Sequence, residues 1–206
     1  MREIVPDVQM WSVPMPDRGY DFNGFAVATE DGTVLIDPPE PAQDGWGPID
    51  MLEPFAGVWI TNRNHSRAAA AFRERYGVKV SAHEADAERL EAGADRTVHG
   101  DELLPGEIRL IHVPGKSPGE VAFHVPRSNA LIVGDVVIGV PAGELSTYPD
   151  KVIDDMDQLH RSAAKLLEYD FDALLLCDGE PITSGGKQKL QDFVTSRVWL
   201  NQPRNS

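Results

Sequence analysis

The chain has 206 residues, of which 41% are hydrophobic and 25% are charged, a composition that is typical of a folded globular protein and excludes a largely disordered chain. The balance of 33 acidic against 19 basic residues gives a net charge of -14. Such an acidic protein disfavours a nucleic-acid partner, because the phosphate backbone would be repelled over most of its surface. A single cysteine, Cys177, excludes an internal disulfide and a multi-cysteine metal site.

Length and segment patterns predict a single domain over residues 1–206. No apolar run approaches the roughly 20 residues that a membrane-spanning helix needs. The first residues, MREIVPDVQMW, lack the basic start and apolar block of a secretory signal. We therefore expect a cytoplasmic protein without a membrane partner, and the sequence leaves oligomerisation open.

The first half of the chain alternates strands and helices. FAVAT and TVLID flank an Asp-Gly turn ending at Gly32, which favours a tight hairpin because glycine can take a positive φ. GVWIT is apolar enough for a buried strand, and the next helix is expected to begin at Ser66 as its cap and to end at Gly77. VKVSA follows as a strand, and HEADAERLEAG predicts a second helix that ends at Gly93.

Strand patterns return in the second half, over EIRLIHV, EVAFHV and ALIVGD. From Asp150 to Glu168 apolar residues recur on one helical face, which predicts a helix that covers a sheet. DALLLC follows as a buried strand, and GGKQKLQDFVTSRVWL predicts a closing helix over residues 185–200. Two halves of this kind favour two sheets packed face to face with helices outside.

Five segments carry a resemblance to a known family: NGFAVATEDGTVLIDPP, WITNRNHSRAAAAFRERYG, IHVPGKSPGEVAF, LIVGDV and LLLCDGEPI. Together, from about residue 23 to about residue 185, they resemble the metallo-β-lactamase fold superfamily and look most like its small hydroxyacylglutathione-hydrolase-type members. The resemblance implies an α/β (α+β) fold, a four-layer αββα sandwich in which two mixed β-sheets pack face to face with helices outside. The family members that it looks most like are hydrolases, and their sandwich carries two zinc ions at one edge of its sheets.

The residues at the family's metal-ligand positions depart from its pattern. The family's Thr-His-x-His-x-Asp-His loop, which directs imidazoles and a carboxylate at two metals, reads Thr61-Asn62-Arg63-Asn64-His65-Ser66-Arg67 here. Lys116 replaces the histidine of PGHTPG, and Asp178 replaces that of the final GHG; the bridging aspartate remains as Asp135. The resemblance thus implies a degenerate zinc site at seven former ligand positions: Asn62, Asn64, Ser66, Arg67, Lys116, Asp135 and Asp178.

Charge counting predicts a pocket that is neutral without metal. Lys116 and Arg67 are two cations, and we expect them to face the two carboxylates of Asp135 and Asp178. On this hypothesis Lys116 stands in for a metal ion, and the candidate pocket is formed by Lys116, Asp135 and Asp178. His65 occupies a position that is not a ligand in the family, and we expect it to point away.

Four of these residues also have an ordinary structural interpretation. Asn62 and Asn64 are common turn formers, and Ser66 is a common helix cap. Lys116 could be an exposed surface residue.

Three functions therefore stay open. We favour a pseudoenzyme without cofactor, which keeps the fold and its cleft to bind a small molecule or a protein. The second is a hydrolase of the ester, thioester or lactone type that uses one divalent metal ion, with Asp135 and Asp178 as ligands together with His65 or an asparagine oxygen. The third is a metal-free enzyme in which a poorly paired Lys116 acts as base or nucleophile.

Overall fold

The structure is a computed structural model, and it describes residues 1–196. Within these residues the strands form two sheets, of seven and five strands. The predicted closing helix extends past this range, so its residues 197–200 lie outside the described part of the chain. The prediction of a single domain over residues 1–206 likewise stays a prediction.

The seven-stranded sheet follows the order of the chain. Its first four strands pair antiparallel and its last four pair parallel, so the sheet is mixed. The predicted hairpin is confirmed, with Thr29 paired to Gly32 and Gly32 at a φ of +116°. The strands are β1 (Arg2–Val5), β2 (Val8–Met15), β3 (Tyr20–Thr29), β4 (Gly32–Ile36), β5 (Phe55–Trp59), β6 (Val80–His83) and β7 (Arg96–Val98).

The five-stranded sheet has the order β12-β11-β10-β9-β8. Its pairs are antiparallel except for the parallel pair of β11 and β12, so this sheet is also mixed. The strands are β8 (Glu102–Leu103), β9 (Arg109–His112), β10 (Val121–Val125), β11 (Ala130–Val133) and β12 (Ala173–Leu176).

Three apolar clusters define four layers. The central cluster joins the inner faces of both sheets, where Trp59 and Phe123 meet edge to face with ring centroids 6.2 Å apart. The other two clusters pack helices on the outer faces, and the expected αββα sandwich is thereby confirmed. The helices are α1 (Trp46–Asp50), α2 (Ala69–Tyr76), α3 (Glu84–Ala87), α4 (Met156–Leu166) and α5 (Gly186–Thr195). None of the described helices combines the length and apolarity needed to cross a membrane.

Helix ends differ from the sequence predictions for local reasons. The helix predicted from Asp150 begins only at Met156, because the Asp155 side chain accepts a hydrogen bond from the Gln158 backbone and caps it there. The helix predicted over residues 83–93 is the single turn α3. α2 ends at a left-handed Gly77 as predicted.

Candidate functional site

The carboxyl ends of several strands meet at one edge of the sandwich. β4 and β5 run parallel, so Asp37 after β4 lies beside the loop of residues 61–67 after β5. β11 and β12 also run parallel, which brings Asp135 and Asp178 together. β9 runs in the same direction as β11, because both are antiparallel to β10, and the loop after β9 carries Lys116. Five chain segments thus deliver polar side chains to one place.

Hydrogen bonds to backbone carbonyls connect the two sheets at this edge. The Val121 amide donates to the Thr61 carbonyl at 2.8 Å. The side-chain amide of buried Asn23 donates to the carbonyls of Leu176 and Gly179, at 2.8 and 2.7 Å. These hydrogen bonds join the strand ends of the two sheets at the site.

His65 lies at the centre of the site. Its Nδ1 is 2.6 Å from Asp37 Oδ2, and its Nε2 is 3.0 Å from Asp135 Oδ1 and 3.8 Å from Asp178 Oδ2. The expectation that His65 points away was wrong. The Asn62 side chain accepts a hydrogen bond from the Asn64 amide at 2.9 Å, and this tight turn, together with the need of buried Asp37 for a partner, directs His65 inward.

The surroundings of His65 favour its charged form. Burial and the nearby Arg67 guanidinium act to lower the pKa of His65, but the carboxylates of Asp135 and Asp37 outweigh them and raise this pKa well above 6.5. Burial alone would raise the pKa of both carboxyls; the attraction of His65 overcomes it and holds each pKa below its usual value. An imidazolium thus lies between two carboxylates.

The two other cations of the site, Arg67 and Lys116, each pair with a carboxylate. Arg67 Nη2 donates to Asp178 Oδ1 at 2.5 Å, and its guanidinium lies 4.4 Å from the centre of the Phe22 ring. Lys116 Nζ lies 3.1 Å from Asp135 Oδ2. Lys116 is only 6% exposed, so its interpretation as a surface residue was wrong.

We call these six side chains the ion cluster. It comprises three carboxylates and three cations, and all six side chains are nearly or fully buried. With His65 charged, the cluster has no net charge. Its members are Asp37, His65, Arg67, Lys116, Asp135 and Asp178.

Two members of the site occupy strained backbone conformations. Arg67 has a φ of +39° and Asp37 a φ of +45°. Left-handed conformations of residues other than glycine cost of order 1–3 kcal/mol and persist where the surrounding contacts impose them. Arg67 also donates to the Asn23 carbonyl at 2.7 Å, so its conformation is fixed from both sheets.

The other three positions that the resemblance compares with metal ligands lie at the margin of the cluster. Asn64 is exposed, and its side-chain oxygen accepts a hydrogen bond from Lys116 at 3.2 Å. Asn62 is buried and serves the turn described above, as its ordinary interpretation predicted. Ser66 does not cap α2, whose N-cap position is Ala68; its hydroxyl accepts a hydrogen bond from the Ala92 amide at 3.3 Å. The interpretation of Ser66 as a helix cap was therefore wrong.

Sequence reasoning missed Asp37 as a member of the site, and it missed two further groups beside the cluster. The Tyr148 hydroxyl donates to Asp178 Oδ2 at 2.5 Å and lies 2.5 Å from the Tyr20 hydroxyl. Burial and the charges of Asp135 and Asp178 raise the pKa of Tyr148, so the phenol stays a donor. Glu120 is fully buried and accepts from the Asp135 amide at 2.6 Å, and burial beside that charge raises its pKa well above 4.5. Neither residue occupies a ligand position in the family motifs, so the sequence did not point to them.

A cleft of about 340 Å³ opens onto the ion cluster. Its floor is formed by buried cluster members, and its rim by less buried residues of the hairpin of β2 and β3 and of the segment between β11 and α4. The floor includes His65, Lys116, Asp135 and Asp178. The rim includes Arg18, Phe22, Tyr148, Lys151 and Val152.

Within residues 1–196, two groups of side chains have the spacing to hold a metal ion. The potential ligand atoms of His65, Asp135 and Asp178 lie within 4.8 Å of one another, and so do those of Asp37, His65 and Cys177. Burial raises the pKa of the Cys177 thiol, which keeps it protonated. The first group is the candidate metal-binding set that the second hypothesis predicts.

Comparison with known proteins identifies the family. The chain is 30% identical over 162 residues to the hydroxyacylglutathione hydrolase of Ruegeria pomeroyi, a match covering 73% of this chain and 58% of that protein. It is 33% identical over 147 residues to the hydroxyacylglutathione hydrolase of Cereibacter sphaeroides, covering 67% and 55%. The chain thus spans little more than half the length of these relatives.

Solved structures agree on the fold. A metallo-β-lactamase from Pontibacter korlensis superposes with a TM-score of 0.75 at 19% identity, covering 98% of each chain. The di-iron-bound form of TTHA1623 superposes with a TM-score of 0.66 at 23% identity, covering 86% of this chain and 96% of that one. The sequence model of the family described as the metallo-beta-lactamase superfamily matches residues 2–197. The chain belongs to the metallo-β-lactamase superfamily.

Proposed function

We propose that this chain is a metal-independent member of the superfamily, a pseudoenzyme whose cleft binds a small molecule. The observation that carries the proposal is the ion cluster, in which each of the three carboxylates pairs with a cation of the protein. A metal site needs carboxylates that are not already paired with other cations, because the metal itself supplies the compensating charge. Here Lys116 and Arg67 supply it from the chain.

The residues present do not fit a dinuclear zinc centre. Two zinc ions would bring four positive charges into a cluster that is already neutral. Zinc sites also rely on several imidazoles or thiolates, whereas the cluster has one imidazole, and both of its nitrogens already face carboxylates. The two oxygens of Asp178 are held at 2.5 Å by Arg67 and by Tyr148.

A hydrolase that uses one divalent ion is the second candidate. The spacing of His65, Asp135 and Asp178 favours it, and the relatives bear the name hydroxyacylglutathione hydrolase. It would require the Arg67 guanidinium and the Lys116 ammonium to leave these carboxylates, since like charges repel. The ion pairs at 2.5 and 3.1 Å oppose that displacement.

A metal-free enzyme built on Lys116 has less support. Its ammonium lies 3.1 Å from Asp135 Oδ2 and donates to Asn64 at 3.2 Å. A lysine nucleophile must instead be poorly paired, so that the free amine forms.

Metal content tests the proposal. The protein is purified without chelator or nickel resin, dialysed against zinc, manganese and iron in turn, and analysed for bound elements. We expect below about a tenth of an equivalent of each metal. One reproducible equivalent would refute metal independence and favour the hydrolase.

Activity provides a second readout. Hydrolysis of ester, thioester and lactone substrates should stay at the rate of buffer alone, with or without added zinc. Turnover that Asp135→Asn abolishes while the fold is intact would refute the pseudoenzyme. Turnover abolished by Lys116→Ala would favour the lysine mechanism instead.

A further inference from the structure

The rim of the cleft carries two cations that the ion cluster does not use. Arg18 and Lys151 are exposed and line the cleft together. Arg18 contacts neutral groups, the Tyr20 hydroxyl at 3.5 Å and the Phe22 ring with its centroid at 5.4 Å. Among the described residues, no carboxylate forms a salt bridge within 4.0 Å of either cation. Both are therefore available to a ligand.

The charge of the cleft is opposite to that of the molecule. The ion cluster is neutral, so the two rim cations leave the cleft with an excess of two positive charges. The whole chain has a net charge of -14. A positively charged concavity in an acidic protein concentrates anions locally, since the field of a cleft is focused by its low-dielectric walls. The favoured ligand is an anion, and about two negative charges on it balance the two rim cations.

The shape and walls of the cleft limit the size of that anion. A volume of about 340 Å³ lies at the lower end of the range of ordinary small-molecule sites. Phe22 and Val152, the latter 44% exposed, give one part of the wall an apolar character. The third hydrogen of the Lys116 ammonium is a further donor at the floor, because its contacts with Asp135 and Asn64 use two of three.

We propose that the cleft binds a small organic dianion. Arg18 and Lys151 bind its anionic groups, and its short apolar body packs on Phe22 and Val152. Dicarboxylates and phosphate monoesters share this chemistry, because guanidinium and ammonium groups pair with both. The inference rests on the proposed function, since it takes the ion cluster as the permanent floor of the cleft.

Calorimetric titration with three probes tests the proposal. Glutarate represents dicarboxylates, phenyl phosphate represents phosphate monoesters, and glutaramide is the uncharged counterpart of glutarate. We expect a dianion to bind and glutaramide not to bind, with affinity falling as salt is added. Binding of glutarate alone assigns a dicarboxylate, and binding of phenyl phosphate alone assigns a phosphate monoester.

Variants locate the binding. Arg18→Gln and Lys151→Gln should each weaken the affinity about tenfold, the loss expected for one charge-assisted hydrogen bond, and the double variant should not bind. Lys79→Gln removes an exposed lysine outside the cleft and should leave the affinity unchanged. Since all three residues are exposed, thermal melts of the variants should match the parent.

Three results would overturn the proposal: no binding of either dianion, equal binding of glutaramide, or full affinity in the double variant. None of them concerns metal content. Failure of the dianion proposal is therefore distinguishable from failure of metal independence, which shows as a bound equivalent of metal.

Discussion

His65 determines the charge balance of the site at the level of single residues. It faces Asp37 through Nδ1 and Asp135 through Nε2, so one side chain partly compensates the negative charges of two buried carboxylates. Sequence reasoning expected His65 to point away, because the family pattern treats the position as variable. A buried carboxylate without a partner is costly, and two of them depend on this imidazolium.

The first prediction concerns the stability that His65 provides. His65→Gln should lower the free energy of unfolding by about 3 kcal/mol or more, because removing one partner of a buried ion pair leaves an uncompensated charge. Urea denaturation at pH 6 measures the change. Asn64→Ala is the control, since it removes only one hydrogen bond of an exposed residue and should cost about 1 kcal/mol or less. A His65→Gln cost no larger than the control would contradict the central role of His65.

The second prediction is a pH dependence with a definite sign. The pKa of His65 is raised on folding, so its contribution is complete below the unfolded value of 6.5 and is lost as pH rises through the folded pKa. The free energy of unfolding should fall above pH 6.5 by up to about 1.4 kcal/mol per pH unit. Urea denaturation between pH 6 and 8.5 measures the slope. Asn64→Ala should keep the slope, and His65→Gln should lose the part due to His65 and keep the fall of the same sign that buried Glu120 contributes through its raised pKa; an equal slope in both would assign the whole effect to another group.

At the scale of elements, the segment between β11 and α4 closes over the ion cluster. Ile138 and Ser146 pair in an antiparallel bridge, which returns the chain toward the site. Tyr148 then places its hydroxyl on Asp178 and its ring 5.6 Å from Lys116 Nζ. One tyrosine thereby joins this segment to both sides of the cleft.

The third prediction tests that connection. Tyr148→Phe keeps the ring and removes the donor to Asp178, which should cost about 1–3 kcal/mol and speed hydrogen exchange in residues 139–152. Tyr20→Phe is a matched control, because the Tyr20 hydroxyl contacts Tyr148, whereas the Asp178 carboxylate accepts its hydrogen bonds within the described residues from Arg67 and Tyr148. Equal exchange in parent and Tyr148→Phe would show that backbone pairing alone holds the segment.

Strand positions could be predicted from the sequence, whereas side-chain partners could not. Short apolar runs such as GVWIT and ALIVGD match β5 and β11 closely, because burial on both faces leaves a strong pattern. The start of α4 depended on the Asp155 cap, and the inward turn of His65 depended on Asp37, which lies 28 residues away. Tyr148 reaches Asp178 across 30 residues by a loop without periodicity, so no local signal marked it.

At the scale of the whole molecule, the sandwich keeps the strand ends in place whatever side chains they carry. Asp37, Asp135 and Asp178 follow strands whose parallel pairing is fixed by the two sheets. Functional chemistry can thus change by substitution at the edge while the fold persists. The same frame should accept the reverse change.

The fourth prediction is that substitution at six positions can give the chain a zinc site. The variant carries Asn62→His, Asn64→His, Ser66→Asp, Arg67→His, Lys116→His and Asp178→His. These changes remove the two fixed cations and supply imidazoles to the retained Asp135, so we expect about two equivalents of zinc by elemental analysis.

A variant with only the four loop substitutions is the matched control. It keeps the Lys116 ammonium beside Asp135, 3.1 Å from its Oδ2 in the parent, and like-charge repulsion should hold its zinc content well below that of the full variant. Circular dichroism and thermal melts establish that both variants are folded. A folded six-fold variant with no more zinc than the parent would mean that these positions do not form a metal site on this frame. The ion cluster would then be an arrangement particular to this chain, and Lys116 could not be said to stand in for a metal ion.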